Sequence, residues 1–149
     1  MDFTEKKCSE TYYFEGKIMK ARLDEVELPN GKPAKREVCE HVGGVGVLPI
    51  DDDGYVWLVR QFRYPFGEMV TEIPAGKLDH GPDEDIRDCG ARELKEETGC
   101  TADELIDLGC IYPSPGFLTE VTYLYAARGL HPGEGTPDEG EFVERIRMP

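Results

Sequence analysis

The stretch RELKEETG, Arg92–Gly99, places Glu93, Glu96 and Glu97 at the spacing of neighbours on one helix. Residues three and four apart on a helix lie about one turn from each other. Carboxylates so placed can close on one hard divalent ion, which takes oxygen ligands. Their location makes the pattern unusual. The helix is expected to end at Gly99, and a helix C-terminus carries partial negative charge that repels acidic side chains. Arg92 stands one turn before Glu96 and can hold that carboxylate in place, as outer partners orient metal ligands.

The helix that must carry these residues is expected from about Asp83 to Thr98. Asp83 can cap its start, and Gly99 suits the left-handed turn after its end. With Ile86 at zero and about 100° per residue, Cys89, Gly90, Glu93 and Glu97 share one direction. Leu94 and Glu96 flank that stripe on opposite sides, while Glu84, Arg87, Asp88 and Lys95 point toward water. An acidic run is commonly just a solvated face. Here the glutamates lie on the inward stripe, at the unfavourable end of the dipole, and Lys95 points away. An unpaired charge out of water is costly, so inward carboxylates call for a cation.

Around the helix the chain reads as strands. "TYYFEG", "KIMKARLDEVEL" and "AKREVCEHV" form an antiparallel β-meander over residues 1–41, turned by the Asn-Gly of "PNGK", a two-residue hairpin signal. Such a unit is marginal alone and is expected to pack on the rest of the chain or on a second copy. A second domain is expected over 42–149, opening with the glycine-rich strand "GGVGVLPI". The turn "DDDG" lacks the ligand spacing of a calcium loop and reads as a plain turn into "YVWLVRQFR". "EMVTEIPAG" reads as one strand, with "LIDLGCIY", "TYLYAA" and "EFVERIRM" as three more. Trp57, Tyr64 and Phe66 could stack on a base, but aromatics in strands are more often core, and they are read so. Arg60 and Arg63 are expected on one face at the end of "YVWLVRQFR", suited to forked bonds with diphosphate oxygens. A pair of surface arginines is the plainer alternative.

A length of 149 residues suits one domain, or a core domain with a small attachment. The formal net charge of −14 excludes nucleic acid and anionic membranes as expected partners, since both are bound through clustered Lys and Arg. It favours divalent cations. No stretch has the length of a membrane span, and "MDFTEKKCSETYY" lacks the apolar run of a secretory signal. The five cysteines, Cys8, Cys39, Cys89, Cys100 and Cys110, include no CxxC, and no histidine stands near one at zinc-ligand spacing. They read as reduced and mostly structural, in a cytoplasmic protein.

The segment "GKLDHGPDEDIRDCGARELKEETGC" resembles the Nudix box, the loop–helix signature of the Nudix hydrolases. The matching positions are Arg92, Glu93, Leu94, Glu96, Glu97, Gly99 and Cys100, and Glu84 matches the glutamate that precedes the arginine by eight. The loop between Gly76 and Glu84 holds seven residues, longer than the family's usual loop. "VCEHVGGVGVLPI", "LVRQFRYP", "TEIPAGKLD", "SPGF" followed by Glu120, and "DEGEF" resemble the branch of ADP-ribose (ADP-sugar) pyrophosphatases. Val42 departs from that branch, which often has proline after the position of His41. The resemblance implies an α/β fold, the Nudix α/β/α sandwich with a mixed sheet, plus the small N-terminal antiparallel β-meander. It implies that the meander helps form a homodimer, and that a final helix usual in the branch is absent before Pro149.

The same resemblance implies metal-dependent hydrolysis of the diphosphate bond of ADP-ribose or a related ADP-sugar, giving AMP and a sugar phosphate. Mg²⁺ or Mn²⁺ would be held by Glu93, Glu96, Glu97 and the backbone carbonyl of Ala75. Arg92 would support them. Glu120, in a loop with Pro113, Pro115 and Gly116, or one of the box glutamates, would serve as general base. Arg60, Arg63 and His41 would bind substrate. Another nucleotide substrate on the same fold stays open, such as a nucleotide sugar or an oxidised nucleoside triphosphate. So do a non-catalytic nucleotide sensor and an acidic interaction module without metal, although a sensor has no need of three mutually repelling carboxylates.

Overall fold

The computed structural model describes residues 2–78, 81, 84–137 and 140–149. The chain forms two compact units, one of Met1–Gly43 with Tyr112–Val121, the other of Gly44–Ile111 with Thr122–Pro149. Among the described residues no helix is long and apolar enough to cross a membrane.

In the first unit, β1 (Lys6–Glu15), β2 (Lys20–Glu27) and β3 (Pro33–Glu40) form an antiparallel sheet in that order. The β2–β3 turn has three residues rather than the expected two. Leu28 N–H reaches Lys32 O at 2.9 Å and Gly31 N–H reaches Leu28 O at 2.8 Å, with Gly31 at φ 78°. Pro29 takes the first turn position, so Asn30 and Gly31 fill the rest of a bulged loop, where the left-handed residue is a glycine. Residues 112–121, which the sequence reading left in the second domain, run beside β3. Cys39 N–H donates to Phe117 O at 2.7 Å, and Thr119 N–H donates to Cys39 O at 3.0 Å.

The second unit holds β4 (Gly44–Pro49), β5 (Val56–Arg63), β6 (Glu68–Glu72), β7 (Ala75–Lys77), α1 (Ile86–Thr98), β8 (Thr101–Ile111), β9 (Thr122–His131) and β10 (Glu144–Met148). One sheet runs β7-β4-β9-β8 and is mixed, with β4 and β9 parallel; the other runs β10-β5-β6 and is antiparallel. Among the described residues α1 is the one helix. Its buried side packs into a core of Val47, Leu94, Cys100 and Ala127. Gly90 permits the close approach. A Cβ there would stand 3.2 Å from Val45 Cγ2 and 3.3 Å from Val47 Cγ2.

Several sequence expectations are corrected. "EMVTEIPAG" is not one strand. It breaks at Ile73-Pro74, and its halves join different sheets, β6 beside β5 and β7 beside β4. Pro74 has no N–H for a ladder, while its carbonyl accepts from Val47 N–H at 2.9 Å. Arg60 and Arg63 do not share a face. They are three residues apart in a strand without a bulge, and side chains alternate with period two. Arg60 is exposed, whereas Arg63 lies on the side of the buried Val59. Tyr64 and Phe66 are 88% and 75% exposed, because β5 ends at Arg63 and both belong to the following turn; Trp57 does pack on the core.

Candidate active site

α1 begins one turn later than expected. Asp85 is its cap, accepting from the N–H groups of Arg87 at 2.8 Å and Asp88 at 3.2 Å, while Asp83 lies outside the described residues. At the other end Gly99 takes the left-handed conformation, φ 73°, and donates to Lys95 O at 2.8 Å. Between these caps the apolar stripe is as the spacing requires. Cys89, Gly90 and Leu94 are buried, Glu93 and Glu97 half-buried beneath them, and Lys95, Arg87 and Asp88 exposed.

Glu84 is the exception. Its side chain is only 10% exposed and pairs with Arg92 at 3.2 Å. It precedes the first helical residue, so an angle computed for a helix does not apply to it. Arg92 thus serves more carboxylates than the one expected. Its Nη1 donates to Glu93 at 2.7 Å and to Glu96 at 2.9 Å, while Nη2 donates to Glu84 and, at 3.3 Å, to the Cys89 sulfur. The Arg92 Nε is buried without a partner among the described residues. Burial disfavours the guanidinium, but Glu93, Glu84 and Glu96 outweigh it and raise its pKa further. Burial pushes the Cys89 thiol up to about 12, so it is no thiolate at neutral pH.

Glu93 and Glu97 both reach β7. The Glu97 carboxylate accepts from Ala75 N–H at 2.9 Å. The Glu93 carboxylate rests on the bare Cα of Gly76, where an added Cβ would stand 1.9 Å from Glu93 Cδ. Burial raises the Glu97 pKa to about 7, with Glu93 and Glu141 adding repulsion against the Ala75 N–H and Arg63. Burial also raises Glu93, with Arg92 opposing and Glu96 and Glu141 assisting. Three carboxylates therefore share the Arg92 guanidinium while Glu97 has only the Ala75 N–H as a hydrogen-bond donor, and Glu93 and Glu97 hold their protons above the ordinary carboxylate range. Hard oxygen donors with charge left over fit a hard divalent cation. Among the described residues no three ligating side chains already converge on one point, since Arg92 occupies Glu93 and Glu96.

Arg63 turns its fork to Glu72 on β6, Nε to Oε1 at 2.8 Å and Nη2 to Oε2 at 2.9 Å. Its pKa is raised by Glu72 first and by Glu97 and Glu141 as well, so it shares the field of the helix carboxylates. Arg60, on the opposite face of β5, is not brought there. In the first unit the structure does bring His41 and Glu120 together, His41 Nδ1 lying 3.9 Å from Glu120 Oε1. Gly43 N–H donates to that nitrogen at 3.1 Å, and Thr119 Oγ1 accepts from His41 N–H at 3.0 Å. Two carboxylates that act on the candidate residues escaped the sequence reading. Glu141 lies in the "DEGEF" segment but was not singled out, and Glu72 lies just before "IPAG"; neither has a local spacing that marks it.

Comparison with known proteins matches the NUDIX domain over residues 40–149. The chain belongs to the Nudix family. Residues 5–39 match the nucleoside diphosphate sugar hydrolase N-terminal domain, so this Nudix chain carries both parts. It is 42% identical to an ADP-ribose pyrophosphatase of Bacillus subtilis over 97% of its own length and 78% of the relative's. It is 41% identical to a methanol dehydrogenase activator of Bacillus methanolicus over 98% of its length and 79% of that protein's. The solved structure of an ADP compounds hydrolase superposes with a TM-score of 0.85, covering 100% of this chain and 80% of that one. At 22% identity that likeness speaks for the fold, a mixed α/β Nudix architecture with antiparallel N-terminal strands.

Proposed function

We propose that this Nudix protein hydrolyses the diphosphate bond of ADP-ribose or a related ADP-sugar, giving AMP and a sugar phosphate. The observation that carries the proposal is the charge balance at the end of α1, where Glu84, Glu93 and Glu96 share the Arg92 guanidinium and Glu97, bonded to the Ala75 N–H, is pushed up to about 7. The likeness to an ADP-ribose pyrophosphatase supports the substrate class. A bound Mg²⁺ or Mn²⁺ would neutralise the diphosphate and make a water nucleophilic for in-line attack. Glu93, Glu96, Glu97 and the Ala75 carbonyl are the groups to hold it, and Arg92 orients Glu93 and Glu96. Arg63 rather than Arg60 is the arginine to meet diphosphate oxygens, because it shares the field of the carboxylates. The water oxygen bonds to phosphorus as the bridging P–O bond breaks. Its proton would pass to a general base, Glu120 or a box glutamate. His41 would bind substrate. The first unit would form a homodimer, and the protein would work in the cytoplasm.

The test is a substrate panel with Mg²⁺ and with Mn²⁺, read by phosphate released from AMP or sugar phosphate by an added phosphatase. ADP-ribose should be turned over faster than other nucleotide sugars or an oxidised nucleoside triphosphate. A folded protein that hydrolyses none of them with either metal refutes the proposal.

A further inference from the structure

The carboxylates of α1 crowd its C-terminal end, and that end is held by a side chain from a distant strand. Arg145 lies on β10, opposite the buried Val59 of β5. Its Nη1 donates to Thr98 O, the last helical carbonyl, at 2.6 Å and to Gly133 O at 3.4 Å. Its guanidinium lies 4.9 Å from the centre of the Trp57 ring on β5. A cation at an orphan carbonyl of a helix C-terminus offsets the negative end of the dipole, the same end that repels Glu93, Glu96 and Glu97.

The carbonyl of Gly133 belongs to a segment that lies backbone to backbone on the helix end. A Cβ at Gly99 would stand 2.3 Å from Gly133 O, and one at Gly135 would stand 2.8 Å from Glu96 O. These contacts need glycine on both sides. Arg145 therefore binds both halves of one joint, the helix that carries the box glutamates and the Gly133 backbone packed on its end.

We infer that Arg145 is a positioning residue of the metal site: by clamping Thr98 and Gly133 against Trp57 it holds the carboxylate-bearing end of α1 against the segment of Gly133 and Gly135. The inference rests on the proposed metal-dependent reaction. Outer partners that orient metal ligands typically change metal affinity by about 10–100-fold, so losing this one should weaken binding by roughly tenfold.

Direct Mn²⁺ binding, followed by the electron paramagnetic resonance of free Mn²⁺ well below the melting temperature, tests it together with kcat and KM. Arg145→Gln should raise the Mn²⁺ Kd about tenfold and lower kcat more than it raises KM. Arg145→Lys, which keeps a cation for Thr98 O but not the forked, stacked group, should recover part of both. Gly135→Ala opens the joint from the other side and should weaken Mn²⁺ binding in the same direction, so the test stands even if the glutamine variant does not fold. If these folded variants melt lower yet bind Mn²⁺ as wild type does, Arg145 is a stabilising side chain only and the inference falls alone. If wild-type protein itself binds no Mn²⁺, the proposed function falls and takes the inference with it.

Discussion

Glu97→Gln separates what a carboxylate does for the fold from what it does for a metal. In the metal-free protein the folded pKa of Glu97 is about 7 against an ordinary 4.5. The sign follows from proton binding. Between these values the folded state holds a proton that the unfolded state has lost, so stability falls as pH rises from about 4.5 through about 7. The full shift corresponds to roughly 3 kcal/mol at 1.36 kcal/mol per unit, and screening at this partly solvated site leaves about 2 kcal/mol. Glutamine removes the charge while its carbonyl oxygen can still accept from Ala75 N–H. The variant should therefore match wild type near pH 4.5 and exceed it by about 4–8 °C in Tm above pH 8. The assay is thermal melting in EDTA across that pH range, followed by repetition with Mn²⁺. Metal at about a hundred times its Kd should stabilise wild type by about 2.7 kcal/mol. It should do little for the variant, whose turnover should be nearly abolished. A variant no more stable than wild type at pH 8, or a difference that does not grow with pH, refutes the electrostatic reasoning. Activity within a few-fold of wild type refutes the metal role.

Arg63→Ala should lower kcat/KM roughly ten- to a hundredfold through loss of a charge-assisted contact of about 1.5–3 kcal/mol. Because its pair with Glu72 is partly exposed, Tm should hardly move, about 0–1 kcal/mol in stability, and lysine should recover only part of the activity; unchanged kcat/KM would make Arg63 incidental. Glu72→Ala should release Arg63 from its fork and lower kcat/KM in the same direction, and efficiency equal to wild type would show that the pair positions nothing. Gly76→Ala should displace the Glu93 carboxylate and cost Mn²⁺ affinity, read by the same resonance assay; wild-type affinity would mean that Glu93 does not need the bare Cα. Sedimentation at micromolar concentration should find a homodimer through the first forty or so residues, and a monomer would count against that reading.

The box helix was readable before folding because its information is local. The stripe of Cys89, Gly90, Glu93 and Glu97 needs only the helical period, and the left-handed stop at Gly99 needs only a residue without Cβ. The same holds for the meander, whose alternation and turn residues are adjacent in the chain. The excess charge could be foreseen too, since three glutamates at a helix C-terminus outnumber the one local cation, Arg92, placed to reach them. Tertiary structure decided who shares that charge. The Arg63 fork goes to Glu72, four residues along β6 from its register partner Glu68, because the pairing of β5 and β6 puts both side chains on one face, and Arg60 is turned away by the alternation of the same strand. Pro74 sends β6 and β7 to different sheets, which brings the Ala75 N–H to Glu97. Arg145 reaches α1 only because β10 pairs with β5. Each of these contacts joins residues far apart in the chain, so its energy depends on packing that no short window of sequence contains.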